Sequence, residues 1–195
     1  MIFERDEYAD EAFEEVDGRG EAVHGVAFHD CLFEDCQFVE GSFKRCRFVD
    51  CVFRTCDLSL AEVTDASFRD VRFEDSKLSG INWALASNLV SSPVGLDFHR
   101  CVLDFSSFME LDFCGRSIEG CSARESTFSR TDLRKADCRD TDFAGSTFVH
   151  CDLSGADFRG ARNYLIDLAG NRLAGAKFSL PEALGLLASL DVVLS

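Results

Sequence analysis

The sequence predicts an all-β repeat fold, a stack of coils around a filled interior, on three observations. Large apolar residues recur at every fifth position, small residues recur two positions before them, and charges keep to the other three positions of each five. From Phe28 the large slot runs through Phe33, Phe38, Phe43, Phe48, Phe53, Leu58, Val63, Phe68, Phe73, Leu78 and Trp83. It resumes at Phe98 and passes Leu103, Phe108, Phe113, Ile118, Phe128, Leu133, Phe143, Phe148, Leu153, Phe158, Leu168 and Leu173 to Phe178. Asn88, Pro93, Ala123, Cys138 and Asn163 interrupt it, and of 19 phenylalanines only Phe105 is out of phase. A helix repeats near 3.6 residues and a strand at about 2, so neither accounts for a period of five.

The small slot reads Cys31, Cys36, Gly41, Cys46, Cys51, Cys56, Ala61 and Ala66, and later Ser126, Thr131, Ala136, Thr141, Ser146, Cys151, Ala156 and Ala161. Between Val26 and Ala176 only Arg116 places a charge there. All cysteines except Cys114 and Cys138 occupy this slot. Their spacings of five and ten lack the tight pairs of a metal site. Disulfides one coil apart would hold Cβ atoms about 4.8 Å from each other, beyond the usual ~3.5–4.5 Å. The cysteines therefore read as small buried fillers, with Cys114 alone facing out.

The pattern resembles the pentapeptide-repeat family, whose motif is a small residue, Asp or Asn, Leu or Phe, and two variable residues. Cys56-Asp57-Leu58-Ser59-Leu60, Ala136-Asp137-Cys138-Arg139-Asp140 and Ala156-Asp157-Phe158-Arg159-Gly160 carry the motif. The resemblance implies a right-handed quadrilateral parallel β-helix, with one pentapeptide per face and about twenty residues per coil. Physical chemistry is consistent with it. Stacked coils satisfy the backbone in ladders while the large residues fill the axis. Burying each Phe contributes roughly 1.5–3 kcal/mol, whereas ordering the backbone costs about 1–2 kcal/mol per residue. Ladder hydrogen bonds and close packing must therefore supply the rest.

The elements follow in order. Residues 1–22 form an acidic segment in which Phe3, Tyr8 and Phe13 keep the phase, so part of it is expected to make an imperfect first coil. Residues 23–178 are the β-helix proper, with an irregular stretch at 86–96 where Asn88 and Pro93 take large slots. That break is ten residues long and is expected to travel half a coil, as a kink or as a functional loop, with Pro93 removing one ladder donor. Residues 179–195 change character. Ser179-Leu180-Pro181-Glu182 reads as a capping box, followed by a short helix and a strand at 192–194. Ala183, Leu184, Leu186, Leu187 and Leu190 give apolar residues on more than one side of that helix, and Leu180, Leu184, Leu187, Leu190 and Val192 are the expected contact residues. This is expected to cap the open end and form a homodimer interface, the other reading being a monomer cap.

Composition narrows the function. The 195 residues hold 35 acids against 20 bases, a formal charge of −15, which argues against direct binding to nucleic acid or anionic lipid. At 46% hydrophobic the chain is too apolar for disorder, and no apolar run reaches membrane-spanning length. The acidic start carries no apolar block of the kind a signal peptide needs, so a cytoplasmic location is expected. His24, His29, His99 and His150 take outward positions without nucleophile company, and there is no phosphate loop or dinucleotide fingerprint. The chain reads as a non-enzyme without metal or cofactor.

Near its end, Asn163-Tyr164-Leu165-Ile166-Asp167-Leu168, Phe178-Ser179-Leu180-Pro181-Glu182-Ala183 and Leu187-Ala188-Ser189-Leu190-Asp191 resemble the topoisomerase-protecting branch. Within it the likeness is to the albicidin-resistance protein AlbG and the microcin-immunity protein McbG, and more distantly to Qnr and MfpA. The resemblance implies a rod-shaped dimer, joined through its tail, that imitates B-form DNA. Such a dimer engages the DNA-binding saddle of the gyrase A subunit, with topoisomerase IV as a related target, and rescues the enzyme from poisons. Stepping by twenty gives candidate acidic columns: Asp30, Asp50, Asp70, Val90 and Glu110 in one, and Asp112, Asp132 and Asp152 in another beside Asp137 and Asp157. The second is favoured because it lies nearer the expected dimer centre. Asp before the large residue also serves turn hydrogen bonds, and basic residues spread over every face, so both explanations stand. An acidic scaffold for another partner, or a DNA mimic aimed at a different DNA-binding protein, remains the alternative.

Overall fold

The chain folds as an all-β parallel solenoid of about 8 turns, with almost no helix. The computed structural model describes residues 2–86 and 95–190, and side chains as far as 187. Each coil passes through four short segments, and each segment pairs in parallel with its counterpart one coil on. The first face pairs Glu7–Ala9, Ala27–His29, Arg47–Val49 and Ser67–Arg69, with Tyr8, Phe28, Phe48 and Phe68 in register. The second runs from Ala12–Glu14 through Leu32–Glu34, Val52–Arg54, Val71–Glu74 and Leu96–His99 to Ile118–Glu119. Bridges such as Asp17 to Gln37 and Gln37 to Asp57 carry the third, and Ala22–His24 with Ser42–Lys44 the fourth.

A five-residue side needs a sharp corner, and one residue makes it. Asp30, Asp35, Glu40 and Arg45 close the four sides of one coil with φ of 51°, 53°, 56° and 57°. Left-handed backbone costs a non-glycine residue roughly 1–2 kcal/mol, least for Asp and Asn, which explains the many Asp and Gly at corners. Along the stack corner N–H groups donate to the next coil, as Asp30 N does to the carbonyl of Val49 at 3.0 Å. The left-handed turn thus keeps its ladder donor in use.

Inside, the large residues form aromatic stacks. Phe28, Phe48 and Phe68 lie nearly parallel at 5.1 and 5.3 Å between centroids, and Phe33 and Phe53 at 4.4 Å. Neighbours within a coil meet edge to face, as Phe28 meets Phe33 at 5.3 Å and 71°. Both are favourable ring geometries, and the coil spacing enforces the stacked one. The small slot holds free thiols, and of all the cysteines only Cys114 is not buried. Their S–H groups donate to carbonyls within reach, Cys51 to Phe28 O at 3.4 Å and to Val49 O at 3.3 Å. Burial pushes the Cys46 thiol up to about 11 and that of Cys51 to about 12.

Two departures from the twenty-residue step correct the sequence reading. At 86–96 the columns are not preserved: Phe73 pairs with Phe98, Lys77 with Val102 and Asn82 with Ser107, a step of 25. Asn82 on the fourth side and Leu96 on the second are therefore separated by one side of the coil, not by the expected half coil. Five is one whole repeat, so the phase of the slots survives while every later column moves. Asn88, Val90 and Pro93 lie outside the described residues. The chain re-enters at Gly95, where a Cβ would stand 2.4 Å from Asp70 N and 2.6 Å from Arg69 Cα. Arg116, the one charge in the small slot, turns outward to pair with Asp70 at 3.1 Å and Asp97 at 3.4 Å.

The second departure is a slip near the end. Phe148 pairs with Ile166, a step of 18, before Asp157 and Lys177 restore 20. Asn163 is exposed in left-handed backbone, and Tyr164 and Ile166 fill the axis in place of Asn163 and Leu168. The buried Asp142 carboxylate anchors the slip, accepting from Asn163 Nδ2 at 2.8 Å and from Arg124 at 2.7 Å.

The two ends also differ from expectation. Residues 7–24 form a coil in full register with the next. Phe3 plugs its axis against Phe13, Phe28 and Phe33. At the other end the anticipated capped helix is a tighter 3₁₀ segment, Glu182–Leu190. The Ser179 hydroxyl accepts from Gly160 N at 2.9 Å instead of capping a helix. Leu186 packs on the core, Leu187 is half-buried, and Leu180 and Leu184 are exposed. The side chain of Leu190, and the whole of Val192 with the anticipated strand, lie outside the described residues.

Phe48 touches rings above, below and beside it. Replacing it with Ala should lower the unfolding free energy by about 3–5 kcal/mol, read by denaturant titration. An unchanged midpoint would contradict its place in the axis.

Candidate partner-binding surface

The acidic side chains fall into two groups by what they touch. In the first, Asp stands just before an inward large residue, and its carboxylate turns back on its own chain. Asp132 Oδ1 accepts from Arg134 N at 3.0 Å, Asp137 from Arg139 N at 3.2 Å, Asp152 from Ser154 N at 3.0 Å and Asp157 from Arg159 N at 3.2 Å. Asp112 accepts from Cys114 N at 3.0 Å. This is the short local bond for which Asp is favoured in turns.

Several of these carboxylates are also neutralised. Arg134, Arg139 and Arg159 each reach back to the Asp two residues earlier at 2.6 Å. Arg172 lies 3.7 Å from Asp152, and Lys177 3.7 Å from Asp157. Hydrogen bonds from Arg159 hold the Asp157 carboxyl down at about 2. Asp137 is likewise lowered by Arg139, and at Asp132 burial opposes the shift but Arg134 prevails. Asp112, Asp132 and Asp152 do stack in one column, as expected. That column is interleaved with its own cations.

The second group sits at corners. Asp10, Asp30, Asp50 and Asp70 line one edge of the rod, all exposed and all left-handed. Glu15 and Asp35 line the next edge, and Glu40 the one after. Among the described residues Asp10, Glu15, Asp30, Glu40 and Asp50 form no ion pair, whereas Asp70 meets Arg116. Glu110 leaves this column because of the 25-residue coil, and it pairs with Arg130 on a different edge. Most of these unpaired corner carboxylates lie in the N-terminal coils, with Glu125 and Asp140 as further ones nearer the other end, at corner positions that the motif leaves variable. Asp-x-Arg spacing was the readable signal that the other group would serve turns.

Asp112, Cys114 and Asp132 bring three potential ligand atoms within 4.8 Å of one another. Arg134 Nε already holds both oxygens of Asp132 at 2.9 Å, so this cluster carries its own cation. The clefts are shallow furrows between side chains. One of about 410 Å³ runs along Asp50, Asp70, Arg72, Asp97 and Arg116, and one of about 350 Å³ lies by His150, Asp152 and Arg172.

Two outcomes follow. The lowered carboxyl of Asp157 contributes stability that is complete above about pH 4 and is lost as pH falls toward 2. Asp157→Asn keeps the turn acceptor but removes the ion pair, so it should cost about 1–2 kcal/mol at pH 7 and little at pH 2, read by urea melts. Thiol titration of the native protein should find one reactive group, removed by Cys114→Ser, and all 10 after denaturation.

Comparison with known proteins agrees with this architecture. A family model described as a pentapeptide repeat region matches residues 26–92, and one for pentapeptide repeats matches 117–148 and 124–162. Among curated proteins none matches the sequence significantly. The solved structure of a trypsin-treated variant of QnrB1, described as a plasmid-mediated fluoroquinolone resistance protein, is 16% identical with a TM-score of 0.58, covering 94% of this chain and 100% of its own. Full-length QnrB1 is 18% identical with a TM-score of 0.50, covering 95% of this chain and 100% of its own. HetL, a pentapeptide repeat protein involved in heterocyst differentiation regulation in the cyanobacterium Nostoc sp. strain PCC 7120, is 16% identical with a TM-score of 0.62, covering 87% of this chain and 84% of its own. At such identities the likeness is one of fold. On the repeat, the ladders and these matches together, the chain belongs to the pentapeptide-repeat family.

Proposed function

We propose that this protein is a DNA-mimicking dimer that occupies the DNA-binding saddle of the bacterial gyrase A subunit, and of topoisomerase IV, and protects the enzyme from a topoisomerase poison. It would act in the cytoplasm as a resistance or self-immunity factor of the branch that contains AlbG and McbG, with a right-handed coil and a tail-to-tail interface at Leu180, Leu184 and Leu187. The observation that carries this reading is the edge of exposed, unpaired carboxylates at Asp10, Asp30 and Asp50 on a strongly acidic rod. About eight coils at ~4.8 Å make a rod of roughly 38 Å, and two end to end make roughly 76 Å. Duplex DNA of that length carries roughly 45 phosphates, against roughly −30 for two chains of −15, so the charge densities are comparable. The resistance role in the description of QnrB1 points the same way.

One observation favours a second reading. Much of the acidic surface is cancelled by its own arginines, and HetL, with a different role, is as similar in fold. An acidic interaction rod for some other basic partner fits these facts.

Gyrase supercoiling and trapped-cleavage yield, measured with a DNA-trapping poison across a titration of this protein, test the first reading. Restored supercoiling with less cleaved DNA is expected. Asp10, Asp30 and Asp50 changed together to Asn should weaken rescue about tenfold or more without unfolding, since Asn tolerates the same backbone. The same change at Asp112, Asp132 and Asp152 should weaken it less. No effect of the protein on either readout would remove gyrase and leave the second reading.

A further inference from the structure

The second side of the rod differs from its neighbours in the first three coils. Ala12, Leu32 and Val52 stack in register along its middle, Ala12 exposed and the other two half-buried. Asp10, Asp30 and Asp50 line one edge of this strip. On its other edge stand Glu14, Glu15 and Asp35, all exposed and, among the described residues, without an ion pair. Glu34, in register with Glu14, is taken by Arg54 at 3.2 Å. Free carboxylates thus flank a narrow apolar strip on both sides. The other sides of these coils mix cations among their charges. Arg47 and Arg69 are exposed on the first, Arg19 holds Asp17 at 2.6 Å on the third, and Lys44 holds Glu62 at 2.9 Å on the fourth.

The far end of the strip shows how a cation is received there. The furrow of about 410 Å³ opens between Asp50, Val52, Asp70 and Arg72, and the chain's own Arg116 lies in its wall. That guanidinium holds Asp70 at 3.1 Å and Asp97 at 3.4 Å. Toward the N-terminal end the acidic edge continues through Asp50, Asp30 and Asp10, where no described arginine meets it. Those places suit a cation from another molecule.

We infer that this side receives a basic amphipathic α-helix of the partner, laid along the rod with an apolar stripe over Ala12, Leu32 and Val52 and Lys or Arg on both flanks. Dimensions favour a helix. With its side chains a helix is about 10–12 Å across, and a five-residue side spans about 13 Å. Its apolar residues recur about every 5.4 Å against about 4.8 Å between coils, so three successive contacts drift by only about 1 Å. An extended strand along the rod repeats about every 6.8 Å on one face and turns alternate side chains away, so it cannot match the strip and both edges together. Charge makes the helix basic, because the six free carboxylates attract cations and repel a second copy of this chain. The inference rests on the reading above that the acidic end of the rod meets the partner, and it names the element met, in gyrase or in another basic protein. Three coils give a small contact, so the helix alone binds weakly, with Kd on the order of 10–100 μM at low salt.

Fluorescence anisotropy tests this with a labelled peptide of about 15 residues, its leucines one turn apart and its lysines on both flanks of that stripe. A reordered peptide of identical composition, without the stripe, is the comparison. The patterned peptide should bind about tenfold tighter or more, gain helical circular dichroism on binding, and weaken several-fold between about 50 and 200 mM salt. Leu32→Gln with Val52→Thr should bring the two peptides within about twofold of each other, while the melting temperature and the reordered peptide's affinity stay near those of the parent. Asp30→Asn with Asp50→Asn should weaken both peptides and flatten the salt dependence. Equal binding of the two peptides, or a preference that survives the Leu32 and Val52 changes, would overturn the inference. A preference without gyrase rescue would remove gyrase and keep the helix site, and rescue without a preference would do the reverse.

Discussion

The spacing between stacked coils governs this molecule. Once backbone ladders fix one coil on the next, every side chain meets its own counterpart above and below, and a residue type is selected by column. Flat rings suit the axis because they stack at the ladder distance, as Phe33 and Phe53 do at 4.4 Å. Cysteine, serine and threonine suit the small slot because each can donate to a carbonyl left inside the coil. Thr141 Oγ1 to Ile118 O at 2.6 Å and Cys151 Sγ to Phe128 O at 3.2 Å are the same bond made by different atoms. The corner must turn left-handed, so its occupant bears backbone strain whatever its side chain does.

This explains what could be read without coordinates. The axis and the small slot each have one tenable environment, so their periodicity was fully legible, and Phe105 stood out by its phase alone. The 25-residue coil was hidden because an insertion of one whole repeat leaves the periodicity intact and displaces only the columns. That displacement removed Glu110 from the Asp70 column and placed Phe105 in line with Leu60. The slip at Asn163 was visible as a misfit in the large slot, but its remedy, Tyr164 and Ile166 moving inward, depends on Asp142 gripping Asn163 and Arg124. The helix at the end was overestimated because Ser179, a good cap by composition, found a better acceptor role on the last coil.

The candidate surface was legible only in part, for a reason rooted in charge. Counting acids by column treats each as a free negative charge. An Asp followed two residues later by Arg is nearly neutral at a distance and is occupied by a turn, so Asp132, Asp137 and Asp157 differ in kind from Asp10, Asp30 and Asp50. The former help hold the coil together, and the latter contribute mainly field. A rod with separate structural and field-producing acids can alter one set by mutation without losing its shape.

The thiols of the small slot make the fold its own protecting group. While the chain is coiled, a sulfur such as Cys51 is held as the neutral thiol against a carbonyl, out of reach of oxidants. An unfolded chain exposes the same sulfurs at ordinary acidity, only five or ten residues apart, which is ideal for rapid ring closure. Bridges made in that state join slots that the coil holds on different sides, so the bridged chain cannot close its ladders again. Oxidation is therefore a ratchet acting on unfolding: each escape from the native state under oxidising conditions is punished covalently, and the chain's working lifetime depends on a reducing milieu as much as on its stability.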